Sequence, residues 1–138
     1  MIASAALQAA AAHATARYAT PPLSDQAFDC SYFVWLTLKK INPLFRRESS
    51  KMIAEDRLLF QPVIGQPQAG DIIYFPPSAV GLEVKRGDKR IYPGHVAVML
   101  SPTRFLGMQS HGLGQVETSN PWWGSRPFRF FRYIGPAS

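Results

Sequence analysis

The 138-residue chain contains a single cysteine, Cys30. One cysteine excludes a disulfide within the chain and any zinc site built from several cysteines. Charged residues are also scarce, at 17% against about 25% in a typical soluble domain. No apolar run approaches the length of a membrane-spanning helix, so no stable membrane insertion is expected. The hydrophobic content of 46% is sufficient for one core, and residues 1–138 are predicted to form a single domain.

Positive charge is missing from the start of the chain, because no lysine or arginine precedes Arg17. Residues 1–16 are apolar and rich in alanine, but a secretory signal peptide begins with a positively charged region that this segment lacks. Alanine has the highest helix propensity of all residues. The segment therefore predicts a helix over residues 2–16 that is retained in the mature protein, and a cleaved signal peptide is the alternative.

The remaining pattern places helices first and strands later. Residues 30–41 are apolar nearly all round, follow Asp29 and end with two lysines before a proline, which predicts a buried helix. The later apolar runs predict strands at residues 72–75, 95–100, 104–108, 115–118 and 128–134. The segments between them predict a short helix with a loop at residues 45–60 and a long basic loop or hairpin at residues 76–93. This order is typical of an α+β fold in which N-terminal helices pack on a C-terminal antiparallel β-sheet.

Basic residues outnumber acidic ones by 15 to 9, which gives a net charge of +6. All but Arg17 and Arg104 fall in three clusters, at residues 39–57, 85–90 and 126–132, and acidic residues interrupt the first two. Two interpretations stay open. The charge belongs either to a solvated basic face or to a surface that helps to bind an anionic polymer such as nucleic acid, anionic lipid or the bacterial cell wall.

Cys30 is a candidate nucleophile because it lies in the first turn of the predicted helix at residues 30–41. The positive end of a helix stabilises a thiolate, and a lowered pKa makes the thiol a usable nucleophile near neutral pH. The alternative is a small buried hydrophobic residue, which is the commoner role of a single cysteine.

A base for this nucleophile would come from one of the three histidines, His13, His95 and His111. His95 opens the strongest predicted strand, so its ring is held rigidly and can face the end of a helix packed on the sheet. In a Cys–His pair the thiolate attacks a carbonyl carbon and the imidazolium protonates the leaving amine, without a metal or cofactor. An ordinary histidine at a strand end is the alternative. A zinc site from Cys30, His95 and His111 lacks a close pair of ligands.

Four motifs, taken in order, resemble those of the NlpC-type cell-wall cysteine peptidases, which have a papain-like fold. The motifs are Phe28-Asp-Cys-Ser31 before an apolar helix, Gln66-Pro-Gln-Ala-Gly-Asp-Ile-Ile-Tyr-Phe75, Gly94-His-Val-Ala-Val-Met-Leu100 and Arg104-Phe-Leu-Gly-Met-Gln-Ser110. With Tyr18 before them and a closing strand near residues 122–133, the resemblance spans about residues 18–134. Tyr32 departs from the family pattern, which usually has glycine at this position.

The resemblance implies a role for each matching residue. Cys30 is the nucleophile and His95 is the base. The backbone N–H of Cys30 holds the oxyanion with help from Tyr18. Asp29 and Ser31 belong to the same oxyanion and substrate region. Two tryptophans, Trp122 and Trp123, are assigned to the rim of the substrate groove, and a place in the core or groove wall is the alternative.

The third catalytic residue is where this sequence departs from the family. Many members have a histidine in the hairpin strand after the first one, and that position falls near Gly107 here. Residues 105–110 resemble a variant pattern in which Gln109 orients the imidazole through one hydrogen bond, as an amide does in papain-like sites. His111 is the rival, because it has the family's usual residue type two positions further along the chain, and a regular strand would place it on the same face as Gln109.

The resemblance implies hydrolysis of an amide in the peptidoglycan stem peptide, often the bond between D-glutamate and the diamino acid. It implies action at the bacterial cell wall, in the periplasm or outside the cell, with no cofactor and no nucleic acid, by a protein expected to be monomeric. Wall remodelling, phage lysis and a secreted antibacterial effector with a cognate immunity protein stay open. The competing class is a non-enzymatic basic domain that binds nucleic acid, although aromatic and basic residues interleave only at residues 128–133.

Overall fold

The computed structural model describes residues 1–77 and 93–137. The helices in this part are α1 (Ile2–Ala12), α2 (Cys30–Ile41), α3 (Ser50–Glu55) and α4 (Pro121–Gly124). The strands are β1 (Arg17–Tyr18), β2 (Ala27–Phe28), β3 (Phe60–Val63), β4 (Ile72–Phe75), β5 (His95–Ser101), β6 (Arg104–Gln109), β7 (Gly112–Glu117) and β8 (Arg129–Tyr133). The predicted α+β class is confirmed. The loop or hairpin predicted at residues 76–93 lies almost entirely outside the described residues.

Six strands form one antiparallel sheet in the order β3-β8-β4-β5-β6-β7. Strand β5 pairs with β4, where His95 lies opposite Phe75, and with β6, where Val98 lies opposite Leu106. Helix α2 packs across β5 and β6. Because β5 is an inner strand and begins at His95, the sheet holds that histidine beside the helix.

Helix α2 begins and ends at the predicted residues because the local sequence specifies both ends. The carboxylate of Asp29 accepts a hydrogen bond from the backbone N–H of Tyr32 and so caps the first turn. Two lysines in the last turn favour the negative end of the helix. Its inward side chains are fully buried in the core, among them Phe33, Val34 and Leu38.

Helix α1 is shorter than predicted, because it ends at Ala12 and the expected helix continued to residue 16. The ring of His13 leaves the helical path: its Nδ1 lies 3.0 Å from the backbone oxygen of Asp25, and its edge contacts Phe28. The alanines at helical spacing face inward, since Ala5, Ala6 and Ala9 are buried. The segment therefore packs into the core, while its retention in the mature protein stays a prediction.

Strand β3 was not predicted, because it contains Pro62. Proline lacks the N–H that an inner strand needs, but β3 lies at the edge of the sheet, where this is tolerated. Strand β7 begins three residues before the predicted start, since Gly112 and Gly114 weaken its strand pattern. In residues 1–77 and 93–137, no helix is both long and apolar enough to span a bilayer.

Candidate active site

A cavity of about 450 Å³ lies where the start of α2 meets the start of β5. Its lining comes from distant parts of the chain: Tyr18, Cys30, Pro93, Gly94, His95, Gln109, Ser110, His111, Asn120, Trp122, Trp123 and Arg126. The structure thus brings the three residues of the predicted catalytic set, Cys30, His95 and Gln109, into one cavity. Their catalytic roles are taken up below as a proposal.

Asp29 and Ser31 flank Cys30 but do not line the cavity. The Asp29 carboxylate accepts hydrogen bonds from Oγ of Ser31 at 3.1 Å, from the N–H of Tyr32 at 3.0 Å and from Oγ1 of Thr20 at 3.3 Å. These bonds fix the chain where it enters α2. They hold Cys30 as the first residue of the helix, with its side chain at the cavity wall.

Tyr18 reaches the cavity through a short parallel pairing. Strand β1 pairs with β2 so that Tyr18 lies opposite Phe28, two residues before Cys30. Burial raises the pKa of the Tyr18 phenol, and the carboxylate of Asp29 and the thiolate form of Cys30 raise it further. The phenol therefore keeps its proton at neutral pH and is a hydrogen-bond donor.

Burial raises the pKa of the Cys30 thiol to about 11. The nearby Asp29 adds to the increase, whereas hydrogen bonding from the backbone of Val96, Ser31 and Cys30 itself lowers the pKa by less. The backbone N–H groups at the helix N-terminus act in the predicted direction, but burial outweighs them, so the net shift of the pKa is opposite to the predicted one. The thiol is only 8% exposed, and the loss of water destabilises the thiolate more than the helix end and backbone N–H groups stabilise it.

Burial lowers the pKa of His95 to about 3, and the positive charge of Arg126 lowers it further. The imidazole lies between aromatic rings, with centroids 4.8 Å from Trp123 and 5.9 Å from Phe75. The side-chain amide of Gln109 acts in the opposite direction and raises the pKa of His95. The resting site therefore pairs a neutral thiol with a neutral imidazole.

Gln109 is buried at the end of β6, and its amide is oriented by a hydrogen bond from Nε2 to the backbone oxygen of Gly114 at 3.1 Å. Its Oε1 and the Nε2 of His95 are buried without a hydrogen-bond partner among the described residues. Each atom would satisfy the other if Nε2–H of His95 donated to Oε1 of Gln109. Gly107 leaves room for this amide, because a Cβ there would lie 2.8 Å from Oε1.

His111 lines the cavity, but it lies in a turn and not in the predicted strand. The argument that a regular strand places it on the same face as Gln109 was wrong, because β6 ends at Gln109 and Ser110 and His111 form the turn to β7. The side chain of His111 is exposed. Among the described residues, no three His, Cys, Asp or Glu side chains are grouped to hold a metal ion.

Trp122 and Trp123 lie in α4, whose start is capped by Asn120. The Asn120 side-chain oxygen accepts hydrogen bonds from the backbone N–H groups of both tryptophans at 3.0 and 3.2 Å. Trp122 is 39% exposed, whereas Trp123 packs on His95 and Phe75 at ring distances of 4.8 and 4.9 Å. Both line the cavity, and Trp123 also contacts the imidazole ring of His95.

Arg126 was not identified from the sequence, which assigned it only to a basic cluster. It is 4% exposed, and its Nη2 donates to the backbone oxygen of Pro93 at 3.1 Å. The other arginines of that cluster have different surroundings: Arg132 pairs with Asp71 through two hydrogen bonds, and Arg129 is exposed. The spacing of the basic residues does not indicate which of these arginines is buried, which is ion-paired and which is exposed.

The neutral state of the thiol makes a testable prediction for alkylation of Cys30. A thiol with a pKa of about 11 instead of 9.0 has roughly 100-fold less thiolate at neutral pH. We therefore expect iodoacetamide to react slowly with the folded protein at neutral pH, with a rate that rises about tenfold per pH unit until the pH approaches the pKa. The alkylated fraction is measured by mass spectrometry of the intact chain. A fast rate that stays constant below neutral pH would indicate a resting thiolate–imidazolium pair instead.

Comparison with known proteins identifies relatives of this architecture. The sequence profile of the NlpC/P60 family matches residues 15–132. A Staphylococcus aureus protein described as similar to a lipoprotein of the NLP/P60 family has a TM-score of 0.68 and 21% identity, over 97% of this chain and 42% of that chain. The NlpC/p60 domain of the peptidoglycan hydrolase SagA has a TM-score of 0.59 and 16% identity, over 92% of this chain and 96% of that domain.

A third similar structure is NlpC2 from Trichomonas vaginalis, with a TM-score of 0.59 and 15% identity, over 97% of this chain and 47% of that chain. No curated protein sequence matches this chain. The chain spans less than half the length of the Staphylococcus and Trichomonas proteins. The family resemblance and the papain-like arrangement of helices on an antiparallel sheet, both predicted from the sequence, are confirmed.

Proposed function

The chain belongs to the NlpC/P60 family, and from this premise we propose that it is a cysteine peptidase that hydrolyses amide bonds in peptidoglycan stem peptides. The observation that carries the proposal is the cavity shared by Cys30, His95 and Gln109. SagA, a peptidoglycan hydrolase, has an NlpC/p60 domain of the same fold, which supports the choice of substrate. The net charge of +6 suits an anionic wall polymer.

In the proposed mechanism, His95 takes the thiol proton of Cys30 only when the substrate is in place. Both groups are neutral in the resting site. With Nε2–H directed at Gln109, the other ring nitrogen, Nδ1, is free to accept the proton as the sulfur attacks the carbonyl carbon. Burial and the charge of Arg126 disfavour the imidazolium that forms, so it is a strong acid toward the leaving amine.

The oxyanion of the tetrahedral intermediate would be held by two donors. One is the backbone N–H of Cys30 at the start of α2, and the other is the phenol O–H of Tyr18. When the intermediate collapses, the C–N bond breaks, the amine takes the proton from His95, and a thioester on Cys30 remains. Water then attacks the thioester with His95 as base, which releases the carboxylic acid and restores the thiol.

Several finer expectations remain predictions that rest on this proposed activity. They are the assignment of residues 1–138 to one catalytic domain, the monomeric state, action in the periplasm or outside the cell, the absence of a cofactor, and the role as an antibacterial effector with an immunity protein. The same chemistry serves wall remodelling, phage lysis and an effector equally well. A protein encoded by a neighbouring gene that binds and inhibits the enzyme would favour the effector.

Purified peptidoglycan tests the proposed reaction directly. We expect the wild-type protein to release stem-peptide fragments, each cut producing one new amine and one new carboxylate that mass spectrometry assigns to a bond. Heat-unfolded protein is the blank, and the number of sugar reducing ends should stay constant. Release of sugar fragments alone, or no release, contradicts the peptidase proposal. Retention of labelled RNA or DNA without fragment release would support the non-enzymatic alternative.

A further inference from the structure

One side of the His95 imidazole is covered by an indole from a distant part of the chain. The ring centre of Trp123 lies 4.8 Å from that of His95, and the two ring planes are tilted by 39°. The same indole packs on Phe75 at 4.9 Å and on Phe105 at 5.6 Å, and both phenylalanines are fully buried in the sheet. Trp123 therefore connects the proposed base to the apolar core on that side of the sheet.

Helix α4 holds this indole in place. The side-chain oxygen of Asn120 accepts a hydrogen bond from the backbone N–H of Trp123 at 3.2 Å, and its backbone oxygen accepts one from the N–H of Gly124 at 2.7 Å. Gly124 also approaches the backbone oxygen of Thr118 so closely that a Cβ would lie 2.8 Å from that oxygen. The position of Trp123 is thus fixed by contacts that do not involve the imidazole.

Trp123 and Gln109 act on different parts of the imidazole. The buried Oε1 of Gln109 is the atom that would accept the Nε2–H at the edge of the His95 ring, whereas the indole packs against its side. A ring held by one hydrogen bond can still tilt about that bond, and the packed indole removes this freedom. His95 is only 8% exposed although it lines a cavity of about 450 Å³.

We propose that Trp123 is a positioning residue for the proposed reaction, because its indole fixes the tilt of the His95 ring and keeps water away from it. The fixed ring presents Nδ1 to the thiol of Cys30, and the dry surroundings keep the imidazole neutral and ready to accept a proton. This inference rests on the proposed function, because it assumes that His95 is the base.

The removal of water determines how readily His95 becomes charged. Burial is the largest cause of its low pKa, and the charge of Arg126 is the second. An aromatic ring also attracts a cation, which raises a pKa by about one. This is less than the fall from 6.5 to about 3 that the surroundings of His95 produce. We therefore expect the exclusion of water to dominate, so that loss of the indole raises the pKa of His95.

Four titratable or charged side chains share the cavity with His95 in the described part of the chain. They are Tyr18 on β1, Cys30 on α2, His111 in the turn after β6 and Arg126 after α4. The guanidinium carbon of Arg126 lies 5.4 Å from the ring centre of Trp123. A movement of this charge is thus a second route by which a Trp123 variant changes the pKa of His95, and the test has to separate the two routes.

Titration of His95 by NMR tests the exclusion of water without any substrate, and His95→Ala identifies the resonance. We expect the pKa of His95 to be about 3 in the wild type and to rise by at least about one toward 6.5 in Trp123→Ala. Trp123→Phe restores an aromatic ring and should stay close to the wild type. In an Arg126→Met background Trp123→Ala should still raise the pKa. No rise, or a rise that disappears in this background, overturns the inference.

Cleavage of a synthetic stem peptide tests the consequence for the reaction. We expect Trp123→Ala to lower kcat by about 10- to 100-fold, the loss that follows when a reacting group is misplaced. The acidic limb of kcat/KM should move to higher pH, because protonated His95 cannot take the thiol proton. Trp123→Phe should restore most of kcat and the wild-type limb. Trp35→Ala is the matched control, since Trp35 is also partly buried but lies on α2 and does not line the cavity.

A role in packing alone predicts that Trp123→Ala and Trp35→Ala lower the unfolding temperature while the acidic limb stays in place. A role in substrate binding alone predicts a higher KM with kcat unchanged. Either result overturns the inference. If Trp123→Ala does not fold, Trp123→Leu takes its place, with a smaller rise in the pKa. Failure of the wild type to cleave the peptide contradicts the proposed function, whereas the NMR titration still decides whether the indole keeps water from the ring.

Discussion

Replacing Cys30 by alanine is expected to abolish the release of stem-peptide fragments, with kcat/KM falling by at least about 10⁴-fold. The chain has no second cysteine, so no other thiol can form the thioester. Cys30 lies at the cavity wall, and its loss removes one sulfur atom without leaving a charge unpaired. The variant should therefore keep its thermal unfolding temperature within a few degrees, and the fragments are quantified by mass spectrometry.

His95→Ala should lose activity to a similar extent, because a neutral thiol with a pKa of about 11 cannot attack an amide without a base. The double variant should be no slower than either single variant, since the two side chains act as one unit. His13→Ala is the matched control: His13 is bound to the backbone of Asp25 and does not line the cavity. Substantial activity in Cys30→Ala would show that the chemistry lies elsewhere.

The local sequence was sufficient to predict the nucleophile's setting. Asp29 is a side chain that caps helices, and the apolar run after it matches the buried face of α2, so the helix bounds followed from neighbouring residues alone. His95 followed in the same way from the β-rich run that it opens. Both residues are positioned by a helix or a strand that can be recognised from a few consecutive residues. The order of these elements along the chain then predicted the α+β class.

The electrostatics of the site could not be predicted from the same positions. A pKa depends on how much water the whole fold removes, and the walls around Cys30 and His95 come from α4 and the segments near it, far along the chain. The helix N-terminus was correctly placed beside Cys30, but burial outweighed it. Arg126 was missed for the same reason, because nothing in a basic cluster indicates which arginine is buried.

His111 shows why element ends limit prediction. The two-residue spacing of Gln109 and His111 suggested that they share one strand face. Instead, β6 ends at Gln109, and His111 lies in the turn that follows. The end of β6 could not be predicted from the sequence, because β6 and β7 are joined by a tight turn that contains no proline. As a result the structure separates the two rivals by burial, with Gln109 at 2% exposure and His111 exposed.

Gln109→Ala is expected to lower kcat/KM by about 100-fold or more, whereas His111→Ala should change it by no more than a few-fold. Without the buried amide, nothing among the described residues accepts the Nε2–H of His95, and the ring loses the orientation that presents Nδ1 to the thiol. His111 is exposed, and we expect it to contribute little to the orientation of the His95 imidazole. The opposite outcome, a large loss in His111→Ala alone, would assign the third position to His111.

Gln109→Glu separates orientation from simple packing, because it keeps the accepting oxygen and adds a negative charge. The carboxylate would stabilise the imidazolium and raise the pKa of His95, which burial holds at about 3 in the wild type. Below its pKa His95 is protonated and cannot take the thiol proton, so activity is lost as pH falls through that value. We therefore expect the acidic limb of kcat/KM to move to higher pH in Gln109→Glu, with partial recovery relative to Gln109→Ala. A profile that does not move would mean that Gln109 only fills space beside the ring.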